Sequence, residues 1–248
     1  MGRLDGKVAL ITGAAQGMGE SHATVFVEEG AKVIITDINK EGGQALADRL
    51  GENAVFIEHD VTDLKSWENA VKKAVETFGD ITVLVNNAGV LGPIAKTEDL
   101  TEEDYMKVCA INQNSAFFGM KSVLPSMVKA GGGSIVNISS IAGIVANYGF
   151  PSLAYVASKS AVRGMSKATA VEYGDKNIRV NSVHPGFIQT QMMADATDES
   201  GGDALKDIPL GRIADPIEVS KAVLYLASDD SSYVTGTEQI VDAGMTAH

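Results

Sequence analysis

The sequence predicts an α/β fold: a doubly wound parallel sheet of seven strands with helices on both faces, filling residues 1–248 as one domain. Three observations predict it. Short runs rich in Val and Ile alternate with longer segments of helical periodicity. The runs are apolar almost throughout, as parallel strands buried on both faces are, and not at every second residue. The chain of 248 residues is 45% hydrophobic, enough for one large core, and no linker, repeat or low-complexity block divides it.

The strands come in order. "KVALIT" opens the sheet within the first dozen residues, followed by "KVIITD", "AVFIEHD", "ITVLVNN", "SIVNISS", "IRVNSVHPG" and "EQIVDAG". Helical segments begin at Gly17, Lys40, Leu64, Glu102, Ala154 and Pro216. The fourth breaks near Asn112 and resumes as a further helix to Lys129. One stretch departs from the rhythm. Gln189 to Gly211 has weak periodicity, several acidic residues and a Gly-Gly pair. A long loop at the carboxyl ends of the strands is placed to act as a lid, here expected over about 190–210.

Composition narrows the function. A net charge of −12 without a basic block disfavours binding to nucleic acid or to an anionic membrane surface. Cys109 is the single cysteine, so the chain forms no internal disulfide and no cysteine zinc cluster. The four histidines lack metal-ligand spacing, and no metal is expected. The N-terminus enters a strand at once, without the apolar segment of a secretion signal, and the expected location is the cytoplasm.

Several short stretches carry chemistry. "TGAAQGMG" (12–19) follows the first strand and opens the first helix. Glycines there permit either a plain tight turn or a pyrophosphate held on a helix N-terminus. Asp37 closes the second strand, where a carboxylate serves as a helix N-cap or accepts the hydroxyls of an adenosine ribose. Beside it, neither Gln16 nor Ile38 offers a cation for a 2′-phosphate. Asp60 ends the third strand, and "NNAG" (86–89) ends the fourth. Ser139 and Ser140 end the fifth.

"YVASK" (155–159) then sets Tyr155 one turn before Lys159 on a helix interleaved with Ala154, Ala157, Ser158 and Ala161. Neighbours at this spacing share a helix face in any protein. In an exposed helix the pair means nothing; beside strand ends, an ammonium can draw a phenol toward a useful pKa.

Taken in order along one sheet, these stretches resemble the short-chain dehydrogenase/reductase family, and the resemblance covers essentially the whole chain. "TGAAQGMG", "NNAG", "INQNS", "NISS", "YVASK" and "VHPGFIQT" are similar to its signatures. The resemblance implies a single-domain Rossmann fold and an enzyme that moves a hydride between NAD(H) and an alcohol or ketone. It implies Tyr155 as acid/base, Lys159 as the group lowering its pKa, Ser140 as the substrate-orienting hydroxyl, and Asn112 as holder of a relay water behind Lys159. Lys159 is expected to stay charged because an ammonium's own pKa is high.

The resemblance also implies a cofactor lining. This comprises Thr12, Gly13, Gln16, Gly17, Met18, Gly19, Asp37, Ile38, Asp60, Val61, Asn86, Asn87, Ala88, Gly89, Tyr155, Lys159, Pro185, Gly186, Ile188 and Thr190. Relatives are commonly tetramers joined by the two long helices and the last strand, so a homotetramer is expected.

Two departures stand out. Ser140 and Tyr155 lie further apart than is usual in the family, with the excess in "NYGFP" (147–151), and "VDAG" carries Ala243 in place of the usual glycine. The candidate substrate wall is Ile141, Val145, Tyr148, Phe150, Phe187, Met192 and Met193, together with Ser140 and Tyr155. These side chains are mostly apolar, without a clamp for carboxylate or phosphate. They favour a neutral secondary alcohol and its ketone, cyclic ones included. Sugar, steroid and 3-oxoacyl substrates stay open, as does a regulator that binds dinucleotide without turnover. The acidic surface suits an acidic carrier protein poorly.

Overall fold

The structure, a computed structural model, describes residues 2–146, 150–196, 206 and 208–247. Among these residues one parallel sheet holds seven strands: β1 (Val8–Thr12), β2 (Lys32–Asp37), β3 (Ala54–Glu58), β4 (Val83–Asn86), β5 (Gly133–Ile138), β6 (Ile178–Pro185) and β7 (Glu238–Val241). The helices are α1 (Gly17–Glu28), α2 (Lys40–Leu50), α3 (Leu64–Phe78), α4 (Glu102–Cys109), α5 (Ser115–Ala130), α6 (Leu153–Tyr173), α7 (Gln191–Ala196) and α8 (Pro216–Ala227).

The near-continuous apolar runs are explained by two cores. Ile11, Ile35, Val85, Val136 and Val183 face Phe26 of α1 and the apolar side of α8. Their neighbours Leu10, Ile34, Leu84, Ile135 and Val180 face Trp67 of α3 and Met127 of α5. Successive strand residues point to opposite faces, so the central strands β1, β4 and β5 are buried almost throughout. Polar caps then fix where helices begin. Asn39 accepts from Gly42 N, Asp63 from Lys65 N and Thr101 from Asp104 N. Helix starts at Gly17, Lys40, Leu64, Glu102 and Pro216 fall where the sequence puts them, and α6 begins one residue earlier than Ala154, at Leu153. The break at Asn112 is a π-helical turn over Ala110–Asn114 that joins α4 to α5.

The strand order β3-β2-β1-β4-β5-β6-β7 reverses direction between β1 and β4. A crevice opens there beyond the carboxyl ends, the place where open α/β sheets hold ligands. Registers align those ends. Thr12 lies opposite Thr36, Asn86 opposite Asn137, and Ile138 opposite Val183. The glycine turn, Asp37, the Asn-Asn-Ala-Gly turn and both serines therefore emerge along one edge. Among the described residues no helix is long and apolar enough to cross a membrane.

Candidate active site

The glycine turn is built for close approach. Gly13 has φ +61, and a side chain there would meet the Ala88 backbone at 2.8 Å. Thr12 locks the turn to the next strand end, its Oγ1 accepting from the amides of Asn87 and Ala88, both at 3.0 Å. Asn87 Nδ2 donates back to the carbonyls of Thr12 and Gly13. Its Oδ1 is buried without a hydrogen-bond partner. The N-cap of α1, Gln16, makes no side-chain capping bond, so the first-turn amides of Gly17, Met18 and Gly19 remain to be met. This arrangement fits the phosphates of a dinucleotide.

Asp37 fits the ribose end. Its Oδ2 accepts from Ala15 N at 3.0 Å and its Oδ1 from Asn39 N at 2.9 Å. Each carboxylate oxygen keeps a further lone pair. Ile38 beside it is 73% exposed, an apolar surface that a flat base would cover. Asp60 lies two residues past the observed end of β3, where its carboxylate caps its own loop through Thr62 N and Thr62 Oγ1. Val61 is held by Trp67, whose Nε1 donates to its carbonyl. Asn86 turns away from the crevice: its Nδ2 donates to Asn137 Oδ1 at 2.8 Å and to Ala116 O. Asn86 can therefore offer a cofactor only its backbone.

The adjacent serines do different work. Ser139 Oγ donates to Lys159 O at 2.9 Å and ties α6 to the end of β5. Ser140 Oγ accepts from Ala142 N at 3.1 Å and shares the cavity with the Tyr155 hydroxyl, near enough to favour its ionised form. Lys159 is buried, with Nζ 2.9 Å from Ile138 O and 5.6 Å from the centre of the Tyr155 ring.

Burial raises the Tyr155 phenol above its ordinary value, and the Ser140 hydroxyl opposes that rise. Burial pulls the Lys159 ammonium down to about 8, which still leaves it charged at neutral pH in most molecules. In this state the phenol is thus not lowered, as the Tyr-Lys spacing suggests it should be. The ammonium contacts a carbonyl and the ring face, and desolvation outweighs it.

Asn112 is a backbone clamp. Its Oδ1 accepts from Val90 N and its Nδ2 donates to Val90 O, both at 2.8 Å. Nδ2 also reaches Ser158 Oγ, which in turn donates to Tyr155 O. A side chain at Gly89 would come within 3.3 Å of both Asn112 Oδ1 and Lys159 Nζ, so glycine lets these groups close on one point.

One cavity gathers Ser140, Ile141, Phe150, Tyr155, Phe187, Met192 and Met193 from the predicted substrate set. Met18, Pro185, Gly186, Ile188 and Thr190 of the cofactor set also line it. Val145 does not; it is exposed. Tyr148 lies outside the described residues, as do 197–205 and 207 of the lid stretch, whose described start includes the short helix α7. Sequence reasoning missed Leu91, Ala142, Ser152 and Val156 on the wall. Leu91 arrives on the loop after β4, which is pinned to the start of α6 by a bridge of Ala95 to Ser152 and by Ala95 N donating to Pro151 O. No local pattern announces that long-range bridge. A neighbouring groove along Gln16, Gly89 and Val90 shares Leu91 and Met192 with the cavity. Among the described residues, no group of three or more His, Cys, Asp or Glu could hold a metal.

A phosphate-ready turn, a ribose-ready carboxylate and a Ser-Tyr-Lys cluster on one crevice define a dinucleotide-dependent oxidoreductase. The chain belongs to the short-chain dehydrogenase/reductase family and acts on CH–OH groups with a nicotinamide dinucleotide cofactor. A family model described as enoyl-(acyl carrier protein) reductase matches residues 13–246. The chain is 48% identical over 249 residues to a 3-alpha-(or 20-beta)-hydroxysteroid dehydrogenase of Mycobacterium bovis, covering 99% of this chain and 92% of that one. It is 45% identical over 253 residues to a cyclopentanol dehydrogenase of Comamonas sp., covering both completely. A solved short-chain type dehydrogenase/reductase from Mycobacterium marinum superimposes with a TM-score of 0.94 at 34% identity, covering 99% of this chain and 97% of that chain.

Proposed function

We propose that the protein is an NAD(H)-dependent dehydrogenase of neutral secondary alcohols, ring alcohols included, with Tyr155 as its acid/base. The observation that carries this reading is the Ser140–Tyr155 pair opening onto a cavity whose other described lining side chains are uncharged. Relatives named for cyclopentanol and for hydroxysteroids, both alcohols on rings, support it. Among the described residues the wall also carries no cation to hold a carboxylate or phosphate.

A nicotinamide held in the crevice would supply or take up the hydride. Gly13, the α1 amides and Asp37 would hold its dinucleotide, and Gly186, Ile188 and Thr190 line the far side of the crevice. Tyr155 takes the hydroxyl proton in oxidation and returns one in reduction. Ser140 keeps its own proton free, because its oxygen accepts from Ala142 N, and so donates to the substrate oxygen or to the phenolate. Lys159 and the positive charge of the oxidised cofactor favour the phenolate against the burial that opposes it. Asn112 clamps Val90, and its relay water would sit behind Lys159.

The same reading carries a homotetramer in the cytoplasm. Exposed Phe117, Val128 and Val171 on the two long helices, and the open edge at β7, support the assembly.

The test is a panel of cyclic and open-chain ketones and secondary alcohols run with both cofactors. NAD(H) should be preferred by at least about 100-fold in kcat/KM, roughly 2.7 kcal/mol, because Asp37 accepts from ribose hydroxyls and repels a 2′-phosphate. Ile38→Arg should invert the preference. Equal kcat/KM with NADH and NADPH would overturn the role of Asp37, and absence of turnover across the panel would favour a regulator.

A further inference from the structure

His184 stands outside every role assigned so far, yet its ring touches the backbone of Ser140. It lies on β6, fully buried, with Nδ1 2.9 Å from Ser140 O and Nε2 2.9 Å from Ser182 Oγ. A carbonyl only accepts, so Nδ1 carries the proton. Burial pushes the ring below its ordinary pKa, outweighing the opposing pull of the Ser140 carbonyl and of Glu238, which favours the neutral imidazole. Nε2 is then an acceptor, and the Ser182 hydroxyl that donates to it fixes the tautomer.

The location gives this bond its consequence. Pairing of β5 with β6 ends at Ile138 opposite Val183, followed by one last backbone bond from Ser139 N to Val183 O. Ser140 is the first residue beyond the ladder, and the chain turns at once through Ile141–Gly143. Its carbonyl accepts from Gly143 N and from His184, both at 2.9 Å. The Gly143 bond belongs to the turn and moves with it. The histidine is the bond that fastens Ser140 to the rigid sheet.

We propose that His184 is a positioning residue for the reaction: its Nδ1–H holds the Ser140 peptide so that Oγ faces the Tyr155 hydroxyl. The proposal rests on the reading of Ser140 as the substrate-orienting hydroxyl.

Two near-isosteric variants separate positioning from packing. An asparagine amide nitrogen falls near Nδ1 of the ring it replaces, a glutamine amide nitrogen near Nε2. His184→Asn should therefore keep kcat within about threefold, while His184→Gln loses roughly 10- to 100-fold. KM for NADH should change less than threefold in both. In a Ser140→Ala background His184→Gln should cost nothing further, because both changes remove the same contact.

Equal losses in the two variants, or full additivity with Ser140→Ala, would overturn the proposal and mark His184 as packing. If the glutamine variant does not fold, the asparagine variant still decides: a tenfold loss of kcat in folded protein that binds NADH overturns it. Ser140→Ala alone distinguishes the two levels. Near-normal turnover there removes the reading of Ser140 and the proposal with it. A large loss there, combined with additivity, removes the proposal only.

Discussion

At the floor of the cavity, Ser140, Tyr155 and Lys159 belong to the end of β5 and the start of α6, and hydrogen bonds to the backbone fix them. At its wall, Phe150, Phe187, Met192 and Leu91 reach in as apolar side chains from loops and one six-residue helix. The floor has little tolerance. Lys159 Nζ touches Ile138 O, Ser139 ties the Lys159 carbonyl, and Ser158 ties the Tyr155 carbonyl, all within 3 Å. Directional contacts of this kind set where a proton can go. The wall only needs to exclude water and match a shape. Changes to the floor should therefore act on kcat, and changes to the wall on which alcohol is preferred.

The two serines give the largest contrast available inside the floor. Ser140→Ala should lower kcat by about 100-fold, the usual scale for removing one donor to a reacting oxygen. Ser139 also borders the cavity, but its hydroxyl donates to Lys159 O, so Ser139→Ala loosens the seat of α6 and should cost less than about tenfold by the same measure. Steady-state rates at saturating cofactor decide this, and the opposite order would assign the reacting hydroxyl to Ser139.

The wall should answer differently. Met193→Ala enlarges the cavity, and the kcat/KM ratio between a bulky and a small ring alcohol should shift by about tenfold, or 1.4 kcal/mol, with KM for NAD nearly constant. An equal fall for every alcohol would mean that Met193 supports the floor as well.

The smallest expected effect lies away from both regions. Ala243 adopts φ +58, the left-handed region that suits glycine. The turn is held by Asp242, which accepts from Gly244 N, Thr246 N and Thr246 Oγ1. Ala243→Gly removes strain of about 1–2 kcal/mol and adds chain entropy of about half that, so Tm should rise by roughly 1–4 °C. A lower Tm would show that the alanine methyl packs better than its backbone suggests.

The same contrast governs what the sequence makes legible. The sheet is readable because burial on both faces writes unbroken Val/Ile runs, and the helix starts because caps such as Asn39, Asp63 and Thr101 mark them. Tyr155, Lys159 and Ser140 are readable as candidates through their likeness to the family's signatures, and the fold brings the three together at one cavity floor. Leu91, Ser152 and Val156 are not readable: any apolar or small residue fits a wall, and its position depends on a bridge between distant loops. Asn112 is found at its break, but its clamp on Val90 is visible only in three dimensions. The net rise of the Tyr155 pKa was likewise hidden, because burial is a property of the fold and not of the Tyr-Lys spacing.

The central claim is that the phenol of Tyr155 carries the proton while the rest of the floor holds it in place. Turnover of Tyr155→Phe, with NADH binding followed by fluorescence on the same protein, tests this most directly. The substitution removes one oxygen and leaves the ring packed against Lys159. The account predicts a fall in kcat of at least about 1,000-fold, near 4 kcal/mol, with the NADH Kd within about threefold. Retention of more than about a tenth of the activity, a loss below roughly 1.4 kcal/mol, would contradict it.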